Sequence, residues 1–252
     1  MKSFKILLLL FIWSSACIVY AQTKWPWDEP VKPGAWDYPV KPGTDEWKQF
    51  KKTEEMRKSC QIPEEMLRSI STNDLTDLCL RYPLLFDLFA FENTNFGLDV
   101  LFKTFNGIRE LYQRKDITSN LTKRYLEKVK NFSFMQGTNS DIEKGIFKLT
   151  ISTLEVLMSR IEWQNIEGEE NPKEVLKSLF EGYVEKIKLP EYFKGSGFQT
   201  NFYARAHIIV KIDSSFIEQL PEKEKNNALY SGRISDEKTI NLIDMYSYQL
   251  IK

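Results

Sequence analysis

The chain has 252 residues, 35 basic and 35 acidic side chains, one histidine and three cysteines. That balance lacks the basic excess or stripe of a nucleic-acid binder, and a single histidine excludes multi-histidine metal sites and the His-Glu-x-x-His zinc motif. The length suits one core of about 200 residues or two small subdomains sharing an interface.

Lys2 and Lys5 precede an apolar run from Ile6 to Trp13, and Val19-Tyr20-Ala21 before Gln22 fits a signal-peptide cleavage site. Residues 1–21 are expected to be removed on export, with the cut between Ala21 and Gln22. A lipoprotein anchored through Cys17 ranks second, because Ser14 stands where an aliphatic residue is usual. A retained anchor ranks third, since the run is short for a spanning helix. Cleavage leaves 35 − 2 = 33 basic and 35 acidic side chains, a net charge of −2. No second long apolar segment follows, so no membrane span is expected in the mature chain.

Residues 22–46 read as an extended arm. Trp27-Asp28-Glu29-Pro30-Val31-Lys32-Pro33-Gly34 recurs, after Ala35, as Trp36-Asp37-Tyr38-Pro39-Val40-Lys41-Pro42-Gly43, and only Glu29 and Tyr38 differ. The prolines exclude a helix and a central strand. In a polyproline II helix, Trp27, Pro30, Pro33, Trp36, Pro39 and Pro42 would share one face, with the tryptophans about 28 Å apart. Trp27, Trp36, Tyr38 and Trp47 are the candidate binding residues. The expectation is that the stripe docks on the chain's own domain or on a partner; the competing reading is a solvated spacer.

An all-α domain is expected over residues 47–252. Thr53 caps a helix to Cys60, Pro63 opens Glu64 to Ile70, and Ser71-Thr72-Asn73 caps Asp74 to Arg81. The apolar run Leu84–Phe91 is followed by a stripe of Leu98, Leu101, Phe102, Phe105, Ile108 and Tyr112. This predicts one helix running through Asn106-Gly107. Asp116 caps a helix to about Val129. Ser140-Asp141-Ile142-Glu143 has capping-box form and opens the longest helix. Its buried stripe is Phe147, Ile151, Leu154, Met158 and Ile161, and its solvated one is Lys144, Lys148, Ser152, Glu155 and Ser159. Asn171 and Pro172 start a helix burying Leu176, Phe180, Tyr183 and Ile187. Thr200 to Asp213 reads as helix despite β-branched Ile208-Ile209-Val210. Ser235 caps a last helix burying Ile240, Ile243, Tyr246 and Leu250. The architecture expected is an irregular bundle or a short stack of antiparallel helix pairs, HEAT-like in outline.

Four stretches resemble an uncharacterised family of exported bacterial proteins: Cys60-Gln61-Ile62-Pro63-Glu64-Glu65, Ser71-Thr72, Leu78-Cys79-Leu80-Arg81-Tyr82-Pro83-Leu84, and Phe105-Asn106-Gly107-Ile108-Arg109-Glu110-Leu111. The likeness covers the middle of the chain and fades toward the C-terminus. It implies export and a mostly helical domain. No activity is known for that family, so no catalytic residue is carried over.

Chemistry-bearing patterns are sparse. Cys60 and Cys79 either form a disulfide after export or stay as buried thiols. His207 is the one candidate base for a cysteine nucleophile. Glu54-Glu55, Glu64-Glu65 and Glu169-Glu170 supply carboxylate pairs of the kind a glycosidase needs, but helix first turns and a polar loop explain them. Gly195-Ser196-Gly197 is too short for a nucleophile elbow. Neither a cofactor nor a metal site is expected. The leading expectation is a non-catalytic exported module that binds another exported protein or a cell-surface glycan. The alternatives are a hydrolase assembled from distant carboxylates or a Cys–His pair, and a structural envelope component.

Overall fold

The computed structural model describes Pro26, Val31, residues 35–132, Gly137, and residues 140–161, 171–193 and 195–252. The expected leader with its expected cleavage between Ala21 and Gln22, Trp27, and Glu169-Glu170 lie outside the described residues. Among the described residues there is no strand.

The helices in order are α1 (Asp45–Gln49), α2 (Thr53–Ser59), α3 (Glu64–Ser69), α4 (Thr72–Leu80), α5 (Thr94–Thr104), α6 (Asn106–Leu111), α7 (Ile117–Lys130), α8 (Asp141–Ser159), α9 (Pro172–Ile187), α10 (Pro190–Phe193), α11 (Gln199–Ile212), α12 (Phe216–Gln219), α13 (Glu222–Asn226) and α14 (Glu237–Ile251). Short 3-10 helices cover Leu85–Ala90 and Gly195–Phe198, and a π turn covers Asn227–Ser231. They pack as an irregular bundle around α8, which touches α5, α7 and α11, while α9 and α14 pack on α11.

Local sequence sets most boundaries. Ser140 and Glu143 form the capping box of α8, Ser71 caps α4, and Asn171 accepts from the Lys173 amide at the start of α9. Three expected caps move. Glu55, not Thr53, accepts from the Lys51 and Lys52 amides, and Asp236, not Ser235, caps α14. The Asp116 carboxylate accepts from Thr72 Oγ1 at 2.6 Å instead of capping α7. Ile208 and Ile209 are fully buried in α11, so tertiary burial overrides their local β preference.

The predicted helix through Asn106-Gly107 breaks at Phe105, whose backbone is extended (φ −125°, ψ 117°). This lets the Phe105 ring stack on Tyr82 with centroids 3.9 Å apart. The groups such a break would orphan are met by side chains. Asn106 accepts from the Ile62 amide at 3.0 Å and donates to the Ile62 carbonyl at 2.7 Å. Gln61 accepts from the Asn106 amide at 3.1 Å and donates to the Thr104 carbonyl at 3.0 Å.

In α8 the predicted apolar stripe is buried from Phe147 to Ile161. The stripe expected to be solvated is not, for Glu155 and Ser159 are both 0% exposed. Residues Thr153 to Ser159 are buried on every side of the helix. The buried face of α9 is likewise rotated: Ile187 is 47% exposed, whereas Gly182 and Lys186 turn inward. Glu155 and Lys186 account for each other, as described below.

Three glycines give a test of this packing. A Cβ at Gly107 would lie 2.4 Å from the Phe105 ring and 2.8 Å from Ile62, and one at Gly182 would lie 1.8 Å from Tyr125 Oη. At Gly145, within α8, nothing lies within 4 Å. Gly107→Ala and Gly182→Ala are therefore expected to destabilise by about 1–3 kcal/mol. Gly145→Ala should stabilise by about 0.5–1 kcal/mol, the helix-propensity gain alone. Urea unfolding midpoints check this, and a common sign for all three would contradict the packing.

Candidate functional site

Residues 36–43 of the arm lie on the helical domain, but not along the proline stripe. Tyr38 is 3% exposed and its hydroxyl donates to the Leu78 carbonyl at 2.9 Å, while Pro39 faces solvent. Trp36 meets Tyr38 edge-on at 5.0 Å, Tyr38 lies 6.1 Å from Tyr82, and Tyr82 stacks on Phe105. Asp37 accepts from Arg81 Nη2 at 3.2 Å and pairs with Lys41. The arm turns off at Gly43, whose φ of +94° is open to glycine at no steric cost. Thr44 then caps α1. Trp47 packs against the core and Phe50. Three of the four candidate binding aromatics are thus spent on the chain's own packing. The period-three face presupposed a polyproline helix, whereas the contact uses Trp36 and Tyr38, two apart.

This face also holds the cysteines. Cys60 and Cys79 are buried free thiols rather than a bridge. Cys60 Sγ has the Ser59 hydroxyl at 3.7 Å and the Val40 carbonyl at 4.0 Å. Burial pushes the Cys60 thiol up to about 11 and Cys79 further, so neither is a thiolate near neutrality. His207 is on α11, its Nδ1 3.0 Å from the Tyr203 carbonyl and its ring on Tyr203 at 4.2 Å. Burial holds its imidazole down at about 4, so it is neutral at pH 7. Cys60 and His207 each bond to groups other than one another. Glu54 pairs with Lys58, and Glu55, Glu64 and Glu65 are exposed. Among the described residues no three His, Cys, Asp or Glu side chains converge as a metal site.

The charged centre of the bundle was not foreseen. Glu155 on α8 accepts from Tyr125 Oη at 2.9 Å, Asn201 Nδ2 at 3.0 Å, Thr200 Oγ1 at 2.6 Å and Lys186 Nζ at 2.9 Å. Lys186 is 0% exposed and also donates to the Gly197 carbonyl at 3.0 Å. Burial lowers its pKa and the Glu155 charge works against that shift. Arg205, also fully buried, donates to Asn201 Oδ1 at 2.9 Å and lies 2.8 Å from Asp244 Oδ1. The Asp244 contact is an ion pair by distance rather than an aligned hydrogen bond. Its Nη2 has no hydrogen-bond partner, and the guanidinium instead lies over Tyr183 at 4.5 Å, Phe202 at 5.4 Å and Phe180 at 5.5 Å. The available signal was α11 itself: Phe202-Tyr203-Ala204-Arg205-Ala206 leaves no polar face, the pattern of a helix enclosed on all sides.

Unspent polar groups collect elsewhere. A groove of about 600 Å³ runs along α7, lined by Thr118, Thr122, Lys123, Leu126, Lys130 and Asn171 among others. The steps of four residues put Thr118, Thr122, Leu126 and Lys130 on one side of the helix. The hydroxyl oxygens of Thr118 and Thr122 are buried beneath the groove surface without a hydrogen-bond partner, while Lys123 and Lys130 take part in no ion pair among the described residues. Comparison with protein-family models, with curated proteins and with solved structures gives no match.

Two predictions come from these buried groups. Lys186→Met leaves the Glu155 charge uncompensated and is expected to cost about 3–5 kcal/mol. Adding Glu155→Gln removes that charge while its amide oxygen still accepts from Tyr125 and Asn201 and its NH2 can donate to the Thr200 hydroxyl, so the double variant should unfold at higher urea than Lys186→Met alone. For His207, the unfolded imidazole protonates near 6.5 and the folded one near 4. Between these values the unfolded chain binds more protons, so stability falls as pH drops through that window. The loss from this group reaches about 3 kcal/mol at the acid end. The difference between wild type and His207→Asn in pH-dependent urea unfolding should therefore be flat above pH 6.5 and slope below it.

Proposed function

We propose that the protein is an exported, non-catalytic helical module that binds another exported protein or a cell-surface glycan. The observation supporting this is the α7 groove, where the Asn171 amide and the unpaired Lys123 and Lys130 ammonium groups flank the aliphatic side chain of Leu126. Such a mix of apolar wall and few convergent polar groups suits ligand binding. The groups that could do chemistry are elsewhere and engaged: two protonated thiols under the arm, a neutral histidine, and a carboxylate saturated by four donors. Among the described residues no helix is long and apolar enough to cross a membrane.

Probing peptide and glycan arrays with the mature chain tests the reading. Saturable binding is expected, weakened about tenfold or more by Lys123→Glu with Lys130→Glu at unchanged thermal stability. A panel of peptide, ester and glycoside substrates should show no turnover. Turnover lost in Cys60→Ala, Cys79→Ala or His207→Ala would replace the binding module with a hydrolase.

A further inference from the structure

The arm carries almost the same eight residues twice, and the second copy lies on the helical domain. We infer that the face formed by Leu78, Arg81, Tyr82, Cys60 and Cys79 is a recognition site for an extended Trp-Asp-Tyr-Pro segment, and that Tyr38 selects the second copy for it over the first.

The contacts of the second copy divide into those the first copy could repeat and the one it could not. The Arg81 partner is Asp37, and Asp28 holds the same place in the first copy. The Trp36 ring, the Val40 carbonyl facing Cys60, the Lys41–Asp37 pair and the Gly43 turn likewise have counterparts in Trp27, Val31, Lys32 and Gly34. Tyr38 alone has none, because Glu29 occupies its place. The Tyr38 position is the most demanding one. Its side chain is 3% exposed, its hydroxyl must donate to the Leu78 carbonyl, and its ring lies between Trp36 and Tyr82. A glutamate there would aim a carboxylate at a carbonyl oxygen and leave a charge out of water, with Arg81 already committed to the neighbouring aspartate. The arm therefore has one register. A slip by one repeat would keep counterparts of the Trp36, Asp37, Val40 and Lys41 contacts, fail at this residue, and lose the Pro26 carbonyl from Arg81 Nε and the Thr44 hydroxyl from the Lys41 carbonyl.

The inference is independent of the α7 groove. It is tested in the full mature chain by moving the tyrosine. Docking is read from the labelling rate of Cys60 and Cys79 with a thiol-disulfide reagent, since the arm covers that face. Wild type and Glu29→Tyr should label slowly and alike. Tyr38→Glu should label about tenfold faster or more, as the arm is released. Combining Glu29→Tyr with Tyr38→Glu restores a complete Trp-Asp-Tyr-Pro-Val-Lys-Pro-Gly copy nine residues earlier. The longer connector weakens closure by about threefold only, so the double variant should return to within about threefold of the wild-type rate. A double variant that labels as fast as Tyr38→Glu would overturn the inference, as would Tyr38→Glu labelling as slowly as wild type. If Tyr38→Glu alone does not fold, recovery of a folded, slowly labelling double variant supports the inference, and failure of the double variant to fold overturns it.

Discussion

Glu155 is 0% exposed in the middle of α8, and its neutralisation comes from α7, α9 and α11. A carboxylate out of water is destabilising by several kcal/mol unless it is paired and its lone pairs are filled. Here a lysine supplies the opposite charge, and a phenol, an amide and a hydroxyl fill the rest. The requirement fixes more than one contact. It sets the rotation of α9, which turns Lys186 inward and leaves Ile187 outside. It also sets the register of α11, which must present Thr200 and Asn201 together. Gly182 belongs to the same arrangement, because the Tyr125 hydroxyl that reaches Glu155 occupies the space a side chain there would fill.

The partners of Glu155 lie 30 to 46 residues away in the chain. A bundle lacking α11 would hold an ammonium and a carboxylate in a low-dielectric core without the hydroxyl and amide that complete the set. Partly assembled states are raised in energy by that deficit, which favours cooperative assembly of α7, α8, α9 and α11. The N-terminal part is joined by different means. Asn106 and Gln61 bond the break between α5 and α6 to the segment before α3, so backbone groups rather than charges hold the regions around Cys60 and Phe105 together.

What could be read from sequence was what depends on neighbours in the chain. The capping box at Ser140, the Asn171 cap and the stripe from Phe147 to Ile161 are local patterns, and all three recur in the structure. Glu155 falls on the face opposite the apolar stripe, and nothing within four residues reveals that a lysine 31 positions on answers it. The break at Phe105 was hidden for a similar reason: the apolar spacing continues through it, and the gain that offsets it is a stacking contact with Tyr82. Tyr38 was among the candidate residues, yet its role as the buried anchor was obscured by assigning the arm a period of three. The α7 groove had no local signature at all, since Thr118 and Thr122 read as ordinary polar helix positions.

The short connector after the docked copy has a consequence for encounters between molecules. Only Pro39 to Thr44 separate Tyr38 from the first residue of α1, and the Thr44 amide closes a turn on the Lys41 carbonyl between them. A segment tethered so closely is present at its own site at an effective concentration in the millimolar range. A rival segment of identical sequence, whether the arm of another copy or a stretch of a different protein, would have to approach that concentration before it held the face half the time. Exchange of arms between molecules is therefore suppressed in dilute solution by geometry alone, and becomes a matter of mass action where the chains are crowded on a surface.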